Sequence, residues 1–81
     1  MLEVLFFASI RESLGSERVR AAAVADVDAL IEQLAALHGA QWSEVLRAPN
    51  VIVAVNQEVA ELQQPLRDGD EVAFYPPVTG G

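Results

Sequence analysis

The chain contains no cysteine and no lysine. Without cysteine there is no disulfide, no thiolate metal ligand and no thiol nucleophile. Without lysine there is no side-chain amine to form a Schiff base or to accept an isopeptide bond. The five basic residues are all arginine and stand against twelve carboxylates, for a net charge of −7. Phosphate backbones demand clustered positive charge, so nucleic acid is not an expected partner. A basic protein surface is, because opposite charge steers encounter. No apolar run approaches the ~20 residues of a membrane span, and the first residues lack the basic-then-apolar pattern of a signal peptide. A cytoplasmic protein with no membrane partner is therefore expected. The single histidine, His38, has no partner motif, so neither a metal site nor a catalytic role is assigned to it.

Apolar residues make up 52% of 81 positions, enough for the core of one small domain. Alternation predicts a first strand over Leu2–Ala8, with Leu2, Val4 and Phe6 on one face and Glu3, Leu5 and Phe7 on the other. Glu3 marks the second face as wet, which leaves Phe7 as an exposed aromatic. Ser9 to Gly15 reads as a short helical turn, with Ser9 and Glu12 spaced as a capping box and Gly15 as its stop. A second strand covers Glu17–Val24. Asp26 to His38 is the main helix: Val27, Leu30, Ile31, Leu34 and Leu37 form one stripe, Asp26 caps the start and Gly39 follows the end. Gln41–Ala48 forms a second helix with Trp42, Val45 and Leu46 inward. Val51–Val55 reads as a strand buried on both faces, Asn56-Gln57 as a turn, and Glu58–Ala60 as a short returning strand. Gln63 to Arg67 connects to a tight turn at Asp68-Gly69-Asp70. Glu71–Tyr75 is the last strand, with Val72 and Phe74 inward and Glu71, Ala73 and Tyr75 outward.

This order fits an α+β mixed sheet of about five strands packed on one main helix. In its usual arrangement the first and last strands are central parallel neighbours. Phe7 and Tyr75 then lie side by side on the face away from the helix, with Val59 on the same face, as an apolar patch for a partner. Residues 1–75 make up the expected domain. Residues 76–81, Pro76-Pro77-Val78-Thr79-Gly80-Gly81, read as a flexible arm. The two prolines fix φ and favour an extended path, and the two glycines pass through slots too narrow for a side chain. Six residues reach at most about 20 Å. Sequence spacing supports no nucleophile–base set, phosphate loop or zinc site. The reactive group with a means of delivery is the α-carboxylate of Gly81. Adenylation by another enzyme would activate it, and a sulfur nucleophile could then displace AMP to leave a thiocarboxylate.

In Val4-Leu5-Phe6-Phe7-Ala8 with Arg11-Glu12 and Gly15, in Ala54-Val55-Asn56, and above all from Pro65-Leu66 through Asp68-Gly69-Asp70-Glu71-Val72-Ala73-Phe74 into the closing Pro76-Pro77-Val78-Thr79-Gly80-Gly81, the chain resembles the small subunits of molybdopterin synthase. Tyr75 stands where Phe is common. The resemblance spans the whole length and implies a ubiquitin-like β-grasp fold and a sulfur carrier. It implies that an E1-like enzyme uses ATP to adenylate Gly81 and that a sulfur donor protein supplies the thiocarboxylate. The arm, with Gly80 and Gly81 at its tip, would then enter the large subunit, where two transfers build the molybdopterin dithiolene from cyclic pyranopterin monophosphate. The complex would be a heterotetramer and the carrier itself would bind no cofactor. Carried over by position, Phe7, Val59 and Tyr75 form the apolar contact, with Arg11 beside them and Pro76, Pro77, Val78 and Thr79 in the inserted arm. Three other readings remain at this point: a carrier for thiazole synthesis, a ubiquitin-like modifier joined to lysines through Gly81, and a β-grasp interaction module with an inert tail.

Overall fold

A computed structural model describes residues 1–77. Five strands and three helices follow in the order β1 (Leu2–Phe6), α1 (Ala8–Leu14), β2 (Arg18–Ala21), α2 (Val27–His38), α3 (Ala40–Leu46), β3 (Ile52–Val55), β4 (Glu58–Ala60) and β5 (Glu71–Tyr75). They form one mixed sheet in the order β2-β1-β5-β3-β4. β1 and β5 are its parallel neighbours, and the other pairings are antiparallel. This is the expected β-grasp.

The inner face is built by alternation. Leu2, Val4 and Phe6 of β1 stand beside Val72 and Phe74 of β5, then Val53 and Val55 of β3. Val27, Leu30, Ile31 and Leu34 of α2 close over them, fully buried. An aromatic spine stiffens this core. Phe6 stacks on Phe74 at 6.0 Å and meets the edge of Trp42 at 5.3 Å. Trp42 is the core plug expected of it, and it also carries a contact that spacing did not reveal: the exposed His38 ring lies on its indole at 4.2 Å.

Asp26 caps α2 as expected, its Oδ1 accepting from the Ala29 amide at 2.8 Å. Two further amides of that first turn, Val27 and Asp28, donate to the carbonyls of Gln64 and Leu62. The 61–66 connector is thereby tied to the helix start, because those amides have no partner within the helix. Across the layer, Arg47 joins α3 to α2 through ion pairs with Asp28 at 2.6 Å and Glu32 at 2.9 Å.

Four expectations need correction. Ser9 does not cap α1: the capping position falls two residues earlier, on Phe7, and no side chain bonds there. The chain turns sharply after β1 through Ala8 at φ 50°, which carries Ser9 inside the helix. Leu37 is 67% exposed. Ten residues of helix rotate it roughly 80° from Val27, to the flank of the stripe in the last turn. β2 is shorter than Glu17–Val24, since pairing with β1 ends at Leu2↔Ala21. Ala73 points outward in register yet is buried, because its methyl lies low between its lateral neighbours Leu5 and Ala54.

The turn between β3 and β4 places Asn56 and Gln57 at φ 50° and 71°, as a tight hairpin demands. Asn56 also ties this hairpin to the start of β5. Its Nδ2 donates to Asp70 Oδ1 at 3.0 Å, and its Oδ1 accepts from the Glu71 amide at 3.0 Å. Asp70 Oδ2 accepts from the Arg67 amide at 2.8 Å. The Asn56 bond first, and the Arg67 amide second, hold the Asp70 carboxyl below its ordinary 3.8. A depressed carboxyl pKa stabilises the fold above the unfolded value, and that contribution disappears as pH falls through the folded value. Asp70→Asn is therefore expected to flatten the loss of stability below about pH 4, read as melting temperature against pH. An unchanged acid limb would remove Asp70 from the acid response.

Candidate functional site

The outer face of the sheet has no helix over it in the described residues, and its side chains fall in three rows. At one end Arg20, Glu3 and Glu71 lie across β2, β1 and β5. The Arg20–Glu3 pair there is exposed, at 3.1 Å, and holds the polar end of the face. The middle row is Leu5, Ala73, Ala54 and Val59. Opposite the polar end, Phe7 continues the parity of β1 beside Tyr75 of β5, which itself pairs with Ile52 of β3.

Phe7 lies one residue beyond β1 but keeps an extended backbone, φ −120° and ψ 150°, and its amide donates to the Phe74 carbonyl at 3.2 Å. That bond prolongs the parallel pairing by one step and sets the two rings together. Phe7 and Tyr75 stack with centroids 4.6 Å apart and planes 5° from parallel, each ring residue 37% exposed. Val59 is 80% exposed. It shares the face with the pair but does not complete the stack: two strand spacings, roughly 10 Å, separate β4 from β5. The face is therefore a shallow apolar strip, with Leu5 and Ile52 half-buried between its proud residues. Leu5 was legible by parity. Ile52 was hidden, because an unbroken apolar run does not tell one face of a strand from the other.

Arg11 is exposed in the last turn of α1 and borders, with Phe7, Glu17 and Arg18, a hollow of about 400 Å³ at the edge of the strip. It thus sits beside the aromatic pair rather than within it. Just after Tyr75 the chain leaves the sheet at Pro76 and Pro77. Pro76 is half-buried and Pro77 exposed. Val78, Thr79, Gly80 and Gly81, assigned to the arm and its reactive tip, lie outside the described residues.

The described residues hold no group of three or more His, Cys, Asp or Glu arranged to bind a metal, and no helix long and apolar enough to cross a membrane. What the geometry offers is a contact surface. It has exposed stacked aromatics, a flat apolar strip, a polar margin, and a chain exit beside the aromatic pair.

Comparison with known proteins places this arrangement. Residues 4–81 match the ThiS family. The molybdopterin synthase sulfur carrier subunit of Escherichia coli is 45% identical over the full length of both chains. That of Haemophilus influenzae is 42% identical, again over both full lengths, and that of Mycobacterium tuberculosis is 39% identical over 99% of this chain and 96% of its own. Among solved structures, the fold superposes on SAMP1 of Haloferax volcanii with a TM-score of 0.74 and 29% identity, covering 99% of this chain and 98% of that one. It also superposes on a chain of the complex of subunits 1 and 2 of the molybdopterin-converting factor of Helicobacter pylori, with a TM-score of 0.66 and 29% identity over 99% and 97%. With strand order, register and full-length identity in agreement, this chain belongs to the ThiS family and, within it, to the molybdopterin synthase sulfur carrier subunits.

Proposed function

We propose that this protein carries sulfur as a thiocarboxylate on Gly81 and delivers it to the large subunit of molybdopterin synthase. The full-length identity to sulfur carrier subunits is the observation that carries this reading. A carboxylate resists attack, being anionic and lacking a good leaving group. An E1-like enzyme with ATP joins AMP to Gly81 and releases pyrophosphate. Sulfide supplied by a donor protein then attacks the acyl carbon, the bond from that carbon to the phosphate oxygen breaks, and AMP departs. The product stores sulfur without any thiol side chain, which suits a chain with no cysteine.

In the large subunit, two such deliveries convert cyclic pyranopterin monophosphate to the dithiolene of molybdopterin. The Phe7–Tyr75 pair, Val59 and the strip between them form the docking face, with Arg11 at its border. Pro76 to Thr79 carry the terminal glycines into the acceptor. The Helicobacter pylori complex of the two subunits supports a large-subunit partner of this kind. A chain that lacks lysine also offers its own activated terminus no side-chain amine, so activation leads to sulfur transfer rather than to self-conjugates.

The test is mass analysis of the C-terminal peptide after incubation with the activating enzyme, ATP and a sulfur donor. Sulfur in place of oxygen adds about 16 Da, the same nominal shift as oxidation of Met1 to its sulfoxide, so the change must be placed within the chain. The expected result is a shift on the peptide ending at Gly81. No shift there, with a control carrier activated in parallel, would reduce the protein to a binding module.

A further inference from the structure

The chain leaves the sheet between two surfaces, and the aromatic pair is only one of them. Side chains alternate along β5, so Tyr75 points to the outer face while Pro76 turns toward the helices. On that side Pro76 and Pro77 line a groove of about 360 Å³ with Ile10 and Ser13 of α1, Val45 of α3 and Val51. Ala48 and Glu44 stand at the same groove, and among the described residues Glu44 is the one charged residue of its lining.

The groove is built on fixed parts. Ile10 is buried in the core, and Val45 and Val51 are packed against it. The prolines limit backbone rotation where the arm begins, so the groove and the exit keep their relation. A partner that encloses the arm must surround it, and so must cover this side as well as the aromatic side. The apolar lining asks for an apolar side chain. The lone Glu44 asks for a basic neighbour to that side chain, and a net charge of −7 favours the same kind of surface.

We infer that this groove is a second docking site for the large subunit, receiving an apolar side chain with an arginine or lysine set against Glu44. The inference rests on the carrier reading above. With it, the two halves of the contact grip the arm from opposite sides, and the groove fixes the direction in which the arm enters the acceptor.

Calorimetric titration of the purified large subunit with the full-length carrier tests this. Ser13 and Ala48 are exposed, so Ser13→Trp and Ala48→Arg obstruct the groove without opening the core. Each is expected to weaken binding at least about tenfold, as blocking a central contact does. Glu44→Gln is expected to weaken it a few-fold and to lessen its dependence on salt. Circular dichroism and melting temperature should stay those of the unaltered protein. Wild-type affinity in both obstructed variants, with Phe7→Ala weakened, would overturn the groove and leave the carrier reading standing. Wild-type affinity in all three would overturn the docking reading together with it. Obstructed variants that bind the large subunit normally but are no longer adenylated would assign the groove to the activating enzyme instead, against this inference.

Discussion

Removal of Gly81 alone is expected to abolish sulfur transfer while leaving the fold intact. The reason is chemical rather than structural. The described core closes over Leu2, Phe6, Leu34 and Phe74 of β1, α2 and β5, and Gly81, as a glycine, has no side chain to add to it. Its loss shortens the arm by one residue, about 3.3–3.6 Å. A reacting atom displaced by far less than that already costs two orders of magnitude in rate. The new terminus would still carry a carboxylate, so loss of transfer would show that reach and identity at the tip matter, not a terminal charge as such. Molybdopterin formation from the precursor, assayed with the large subunit and the activation system, is the measurement. Normal formation by the shortened chain would rule out Gly81 as the carrier atom's site. Extending the tail by one residue makes the complementary case: a binding module keeps its affinity, whereas a carrier loses its activity.

Phe7→Ala should weaken the complex with the large subunit by about 2 kcal/mol, roughly thirtyfold, the loss typical of a central aromatic contact. Its cost to the fold should stay below that of a core phenylalanine, being about 0.5–1.5 kcal/mol for the lost stack on Tyr75 and a partial loss of burial for a residue already 37% exposed. The neighbouring residue sharpens the contrast. Phe6 is 1% exposed and lies between Trp42 and Phe74. Its replacement by alanine should cost about 3–5 kcal/mol of folding stability. Of two adjacent phenylalanines, one is buried in the core and the other stands exposed on the outer face, where the proposed function sets a partner. Phe7 also occupies the capping position of α1 without using its side chain there, so alanine leaves the helix start as it was. Calorimetry for affinity and a denaturant midpoint for stability separate the two effects. Unchanged affinity would take Phe7 out of the interface.

The local elements, and the core-facing residues of β1, β5 and α2 apart from Leu37, were determined by the sequence itself. Period-two alternation in Leu2–Phe6 and Glu71–Tyr75 and the apolar stripe of α2 reflect backbone geometry, which every strand and helix shares. Asp26 and Gly39 mark the helix ends for equally local reasons. The expectation of an arm in the last six residues rests on composition alone, since proline and glycine act through their own backbone restrictions, and residues 78–81 lie outside the described residues.

Only the tertiary structure decided the rest. Parallel pairing of β1 with β5, which the element order led us to expect but alternation does not state, joins residues about seventy positions apart. That pairing brings Phe7 to 4.6 Å from Tyr75 and sets Ala54 between Ala73 and Val59. Ser9 failed as a cap because the turn at Ala8 moved the capping position two residues earlier, to Phe7. The Arg47 bridge and the groove beneath Pro76 each unite segments that share no sequence pattern. Period and propensity act over a few residues, whereas a surface is made where distant segments meet. The tip to which the proposed function assigns the chemistry is therefore read from the last residues, and the fold supplied the surface that would present it.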